Sequence, residues 1–499
     1  MFILYLLGVV ILFYVSYTYL LNSRKEAYWA KYGVPFYKGP LGFGFIWETI
    51  FARPSLFEVI DRIYKKYPDA PAVASKVFIG PALIVKDPEN VQRVLAGDFN
   101  TFSHRGFDVN WEVDPLSDNV LFMNGIRWKL TRQKLTPLFT SAKLRNMYYI
   151  LNKSAQEFVK VLQNNNKKQD TFHTLTKFCT ASITASVFGL ETTSKDMESP
   201  FLDIAVAANG NNALLNWKFV LIGISSNLFA SLKIKLFSEF EDFFIGAMKQ
   251  VLKLRKESKV KRHDFADLCL EVQNMGTLKD PNTGYEIKTT DELMAAQAFF
   301  FFIAGVDPSA ITMHSVLYEL AKNPKVLQRI HKEIDSLFEE NNGEIAHEQV
   351  VSFEYLDRVI DETMRMYPPI AIITRKNTQE AVLPAGNIPL KNEIGIQVPV
   401  FSLHYDPKYY PNPHVFDPER FTEEAKRLRP NYTYLPFGEG NRMCLGIRYA
   451  RLQLKIGLIY ILRNFTVICN NPNAKIIFKK STIQLRPLNM DVDIVPRHK

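Results

Sequence analysis

Apolar and polar positions are spread unevenly along the chain. From Met1 to Ser23 no side chain is charged, and Leu, Ile, Val, Phe and Tyr dominate. A helix of ~20 residues at ~1.5 Å rise spans the ~30 Å hydrocarbon core of a bilayer. Tyr14, Tyr17 and Tyr19 gather toward the end of the run, and Arg24, Lys25, Lys31 and Lys38 follow against Glu26 alone. This predicts a single transmembrane anchor over residues 1–23, with the rest of the chain cytosolic. A cleaved secretory signal would need a basic start and a small-x-small site, and neither is present. Gly33, Pro35, Gly39, Pro40, Gly42 and Gly44 mark residues 24–45 as a basic, Pro/Gly-rich linker, leaving 46–499 as one large domain.

Beyond the linker most of the pattern is helical. Apolar positions recur at i, i+3 and i+4 over 142–165, 171–189 and 235–258, and a helix carries Trp128 and Arg132. A longer helix is expected to open at a Thr289–Glu292 capping box and to stop near Asn323-Pro324, a span of about 50 Å. Its middle, Ala295–Ala304, is apolar all round, so it must cross the interior. Another helix covers Tyr355–Met366. Short strands with turn punctuation fill 370–400 and 475–495. The run from Phe401 to Glu439 is rich in Pro, Tyr and Asn and reads as irregular chain, which at such length usually serves a function. A final helix begins just after Cys444 and runs to about Arg463. The fold class is mainly α with a small β part.

Composition narrows the function. At 499 residues, 47% hydrophobic and 13% aromatic, the chain is neither disordered nor repetitive. The 4 cysteines are scattered, without a CxxC pair, and the 9 histidines lack metal-site spacing, so any metal arrives inside a cofactor. A net charge of +10 is dispersed apart from Lys253–Arg262, and no basic stripe interleaved with aromatics calls for nucleic acid.

The chemistry gathers at Phe437-Gly438-Glu439-Gly440-Asn441-Arg442-Met443-Cys444-Leu445-Gly446. A lone cysteine is more often a small buried hydrophobe. Here glycines permit a tight turn beside a flat partner, and a helix start stabilises a thiolate. Phe-x-x-Gly-x-Arg-x-Cys-x-Gly, with Ala450 beyond it, resembles the cysteine-ligand loop of the cytochrome P-450 superfamily. Glu362-x-x-Arg365, the stretch Phe416–Phe421 with Arg420, and Trp128-x-x-x-Arg132 follow that family's order. Tyr28-Trp29, Gly33-Val34-Pro35, Asp264-Phe265 and Phe299–Ala304 look most like its insect microsomal branch, which oxidises plant toxins and insecticides.

The resemblance implies the cytochrome P-450 fold and haem b, with Cys444 as axial iron ligand. It implies Trp128, Arg132, Arg442, Arg105 and Arg375 at the haem propionates, and Glu362, Arg365 and Arg420 as a structural cluster behind the loop. For any one of these arginines an ordinary surface position is the competing reading. The implied partners are an NADPH-cytochrome P-450 reductase, cytochrome b5 as an optional second donor, the endoplasmic reticulum membrane and a small lipophilic substrate. Arg448, Arg451 and Lys455 share a helix face that would suit an acidic reductase, or would simply be solvated. Phe219–Ile222 with Leu228-Phe229 reads as a second, interfacial apolar patch.

One stretch departs from the pattern. The oxygen-binding segment reads Ala304-Gly305-Val306-Asp307-Pro308-Ser309, with the acid kept and the usual threonine replaced by Pro308. Proline leaves the Ala304 carbonyl without its helical donor and should kink the helix. Ser309 lies about 100° away around the axis, whereas Thr312 shares the Pro308 face and could hold a water. Asp307 and Thr312 are therefore the expected proton-handling residues. Three functions compete: oxygen insertion with reductase electrons, a haem-thiolate isomerase or dehydratase working on a peroxide, and a haem-binding protein without turnover. Phe107, Phe301, Phe302, Ile370 and Ile373 predict a bulky apolar pocket.

Overall fold

The computed structural model describes residue 16 and residues 20–497, except 43, 46–47, 50–53, 78–79, 165–169, 191–192, 194–196, 210–212, 259–260 and 481–483. Most of the expected anchor therefore lies outside the described residues. Residue 16 and residues 20–30 are helical, and this helix buries Trp29 in a cluster with Val34, Phe36 and Leu390.

Helix α1 (Leu56–Lys66) leads into strands β1 (Ala72–Val77) and β2 (Gly80–Val85). The helices α2 (Gly125–Leu135), α3 (Ser141–Gln163), α4 (Thr171–Phe188), α5 (Ala213–Ile224) and α6 (Glu241–Ser258) come next. The long helix α7 (Asp291–Lys322) is followed by α8 (Glu354–Met366), β3 (Ile373–Lys376) and β4 (Gly395–Val398). Helix α9 (Ile447–Asn464) and the antiparallel pair β5 (Phe465–Cys469) and β6 (Val492–Pro496) complete the chain. The main sheet has the order β1-β2-β4-β3, with β2 and β4 parallel and the other pairs antiparallel.

The all-round apolar run does place α7 through the core, where it packs chiefly against α4. Among the described residues α7 is the one helix long and apolar enough to cross a membrane, and it is buried. Its cap differs from the expected one. Thr290 is the N-cap and its hydroxyl accepts from the Leu293 N–H, while the Thr289 hydroxyl bonds to the Gly276 carbonyl. Adjacent threonines make the register ambiguous in sequence; the Gly276 carbonyl resolves it. Pro308 does not end the helix, which runs unbroken on both sides. The cost of one lost hydrogen bond is borne by packing, because Val306, Asp307, Ser309 and Ala310 are all buried.

Candidate functional site

The site begins with the irregular chain before α9. His404 is fully buried, and its Nδ1 lies 3.1 Å from the Arg365 carbonyl while its Nε2 accepts from the Leu435 N–H at 2.9 Å. The ring is therefore neutral, and burial with the neighbouring Arg365 pushes its pKa down to about 3. Arg365 donates to both Glu362 oxygens at 2.7 and 2.8 Å and to the His404 carbonyl at 3.0 Å. Arg420 lies 3.5 Å from Glu362, and the Asp417 N–H donates to the same carboxylate at 2.9 Å. The expected three-residue cluster thus assembles. His404, which no motif flagged, links it to the strand of chain that enters the cysteine loop.

The loop then turns on itself. The Cys444 N–H donates to the Phe437 carbonyl at 2.8 Å, closing the turn. Gly440 takes φ +73°, and a Cβ there would stand 2.0 Å from the Leu95 carbonyl oxygen, so no other residue fits. Cys444 is exposed, whereas Cys179 and Cys269 are buried. Protein atoms crowd its surroundings and push the thiol up; the Gly446 N–H and the charges of Arg132 and Arg105 oppose this. Those opposing groups are the ones that favour a thiolate.

Two arginines brace the loop from outside. Arg132 on α2 donates to the Met443 carbonyl at 2.9 Å, and Arg105 donates to the Arg442 carbonyl at 3.2 Å. Arg442 is buried, stacks 4.4 Å from the Trp128 ring and donates to the Met123 carbonyl at 2.9 Å. Arg375 on β3 is also buried and donates to the Thr374 carbonyl. Among the described residues no carboxylate pairs with any of the four. Arg442 keeps Nε and Nη1 without a partner, and Arg105 keeps Nε. Burial and mutual repulsion push Arg442 down to about 8, Arg375 to about 9 and Arg105 to about 10. Buried guanidiniums with spare donors fit a ligand that brings carboxylates of its own, and haem brings a propionate pair. Trp128, expected among the propionate-binding residues, lies beneath Arg442 as its platform.

Helix α7 shows one interruption in the burial of its middle. Ala304 is exposed in mid-helix, with Phe300, Ile303 and Pro308 half-buried on the same side. Asp307 points elsewhere, into the protein. Its carboxyl is buried, one oxygen lacks a partner among the described residues, and burial pushes it up to about 6 against Arg486, Lys479 and Gln484. Nothing in its local sequence announces those neighbours. Thr312 is buried and its hydroxyl donates to the Pro308 carbonyl at 2.8 Å, so what it can offer a water is an acceptor.

Two surface expectations are corrected. On α9, Arg451 is held by Asp357 and Asp361 at 3.3 and 2.6 Å, and buried Lys455 by Asp357 at 2.7 Å. Arg448 alone of that trio is exposed, so no three-cation docking face exists. In the apolar patch, Ile222 and Phe229 turn inward; the exposed side chains are Leu214, Trp217, Leu221, Leu228 and Leu232. Helical spacing identified a face in each case but could not say what packs against it.

The sequence model of one family, Cytochrome P450, matches residues 38–493. Cytochrome P450 6k1 of Blattella germanica is 32% identical over 466 residues, covering 90% of this chain and 88% of its own. Cytochrome P450 6B2 of Helicoverpa armigera is 32% identical over 457 residues, with 90% and 89% covered. Probable cytochrome P450 6a13 of Drosophila melanogaster is 34% identical over 409 residues, with 81% of both chains covered.

Proposed function

Because the chain belongs to the cytochrome P450 family of haem monooxygenases, we propose that it inserts one atom of dioxygen into small lipophilic substrates, drawing NADPH electrons through a flavoprotein reductase. The observation that carries this reading is an exposed cysteine in a loop braced by arginines whose remaining donors face no carboxylate among the described residues. Cys444 would bind the iron, and Trp128, Arg105, Arg132, Arg375 and Arg442 the propionates, with the Trp128 ring also supporting Arg442. Thiolate-bound haem supplies the oxygen chemistry. Asp307 holds a carboxyl that titrates near neutrality, so it can release and regain a proton beside α7. Phe107, Ile303, Ile370 and Ile373 would provide an apolar wall, which favours xenobiotics such as plant toxins or insecticides, or endogenous lipids. Phe302, expected there, is instead fully buried against Phe201 and Phe244, and Phe301 packs on Phe139 and Phe265.

The location proposed is the endoplasmic reticulum membrane, with a single-pass anchor over residues 1–23 and a cytosolic catalytic domain. Exposed Leu214, Trp217 and Leu221 on α5, with Leu228 and Leu232, would add a second contact with the bilayer surface.

Replacing Cys444 with Ala or Ser should abolish the carbon-monoxide band that gives the family its name and all NADPH-dependent turnover of a lipophilic panel. A band that survives would reassign the ligand. Pro308, in place of the oxygen-segment threonine, favours a second reading as a peroxide isomerase or dehydratase. That enzyme would turn over an organic hydroperoxide without reductase, so assays with and without reductase separate the two.

A further inference from the structure

Three helices meet behind the exposed face of α7, and they meet in register. On α9 the contact positions are Tyr449, Gln453 and Gly457; on α4 they are Ser186, Ser182 and Phe178; on α7 they are Gly305, Ser309 and Met313. Each set is spaced by one helical turn, so each is a single stripe. The Tyr449 hydroxyl lies 3.0 Å from Ser186, and Gln453 Nε2 donates to Ser182 at 2.8 Å. At Gly457 a Cβ would stand 2.5 Å from Phe178 and 2.8 Å from Met313; at Gly305 it would stand 2.7 Å from Ile183. These two close approaches bring the helices together above and below one polar contact.

That contact is Gln453. Its Oε1 accepts from the Ser309 hydroxyl at 2.8 Å, and its Nε2 reaches both Ser182 and, at 3.4 Å, the Cys179 carbonyl. The Cys179 carbonyl fixes which way the amide points, since a flipped amide would set oxygen against oxygen. Ser309, Gln453 and Ser182 are all buried, so no water competes for these bonds.

The contact falls where α7 is weakest. Pro308 cannot donate to the Ala304 carbonyl, so one rung of the helix is missing immediately before Ser309. The usual determinant of rotation about the helix axis is thus reduced at the residues whose exposed face is Ala304 and Pro308. A one-residue rotation would turn that face by about 100°. The Gln453 clasp blocks this by tying Ser309 to the helix that begins just after Cys444.

We propose that Gln453 is a positioning residue for the oxygen chemistry: through Ser309 and Ser182 it fixes the rotation of the proline-interrupted segment of α7 relative to the cysteine-bearing helix. This assignment rests on the haem-monooxygenase reading for its consequence, but the clasp itself does not. The test uses the full-length, haem-loaded protein and two readouts that need no substrate. One is amide hydrogen exchange over residues 303–312; the other is the infrared stretch of carbon monoxide added to the reduced protein. Ser309→Ala should speed exchange in that segment by about fivefold to tenfold, the effect of losing one buried hydrogen bond. Gln453→Met, which loses its bonds to Ser309, Ser182 and the Cys179 carbonyl, should speed it by at least as much. Each should also broaden or split the carbon-monoxide stretch, and the double variant should do no more than the larger single one. Exchange in α1 should not change. Ser309→Thr keeps the hydroxyl and should restore a single narrow band. If Gln453→Met does not fold, Ser309→Ala, which removes one oxygen atom, decides alone. Native exchange with a native band in Ser309→Ala, or equal disturbance in Ser309→Thr, overturns the proposal. Failure of the monooxygenase reading would appear instead as absent NADPH turnover in the native protein while these two readouts still respond.

Discussion

Two groups of arginines hold the cysteine loop and the chain that enters it, and they are built on opposite rules. Arg365 meets a carboxylate of its own chain, with both side chains of the Glu362–Arg365 pair at 0% exposure. Its remaining donors reach the carbonyls of His404 and Val415. Arg105, Arg132, Arg375 and Arg442 meet carbonyls, aromatic faces and one another, and two of them keep unused N–H groups. The balanced group is complete without a ligand and so reads as structure. The unbalanced one would gain its counter-charge from a ligand and so reads as a candidate binding site. Charge balance, not burial or residue type, separates the two.

The largest expected effect comes from unbalancing the balanced group. Glu362→Gln leaves the Arg365 guanidinium buried without its anion, which costs about 3–5 kcal/mol. Thermal or urea unfolding should show that loss, together with failure to retain haem. A variant that unfolded like the native protein would mean that the cluster is not a structural support.

The reverse operation on the unbalanced group should leave the fold intact. Arg442→Leu removes a strained cation, so the unfolding midpoint of the haem-free protein should hold or rise. Hemin affinity should fall about tenfold to hundredfold, because a hydrogen bond to a charged group contributes ~1.5–3 kcal/mol. Equal losses of stability and affinity would erase the distinction between the two groups.

Asp307 is an intermediate case, a buried carboxylate whose cations Lys479 and Arg486 are themselves half-buried. Its pKa rises from 3.8 unfolded to about 6 folded, so its protonated form contributes stability that is complete below 3.8 and lost as pH rises through about 6. Asp307→Asn should therefore unfold at a higher temperature than the native protein at pH 7.5, by on the order of 1–2 kcal/mol, and lose that advantage near pH 4. No advantage at pH 7.5 would show that the carboxylate is already matched by its cations.

Much of this was legible in the sequence, and the limits have physical causes. The cysteine loop, the Glu362–Arg365 spacing and the apolar run of α7 are local patterns, and local patterns survive folding. The end of α8 and the start of α9 were readable because Pro368-Pro369 and Gly446 punctuate them. Lys455 and Arg451 were misread because a helix face looks the same whether water or Asp357 lies opposite. Gln453, His404 and the cations around Asp307 went unnoticed for a related reason. Their meaning comes from partners far away in the chain, and a glutamine in an apolar stretch carries no label of what it will touch.

The loop's braces also say when the site can exist. The hydrogen bond from Arg105 to the Arg442 carbonyl spans 337 residues, that from Arg132 to Met443 spans 311, and that from Arg442 to Met123 spans 319. Contacts of such separation form late, because chain closure must precede any gain from them. On a ribosome the helices before α7 can pack while the cysteine loop has yet to be synthesised. Haem capture would thus be deferred to the end of translation, and the cofactor would meet a nearly finished protein whose missing anion it carries.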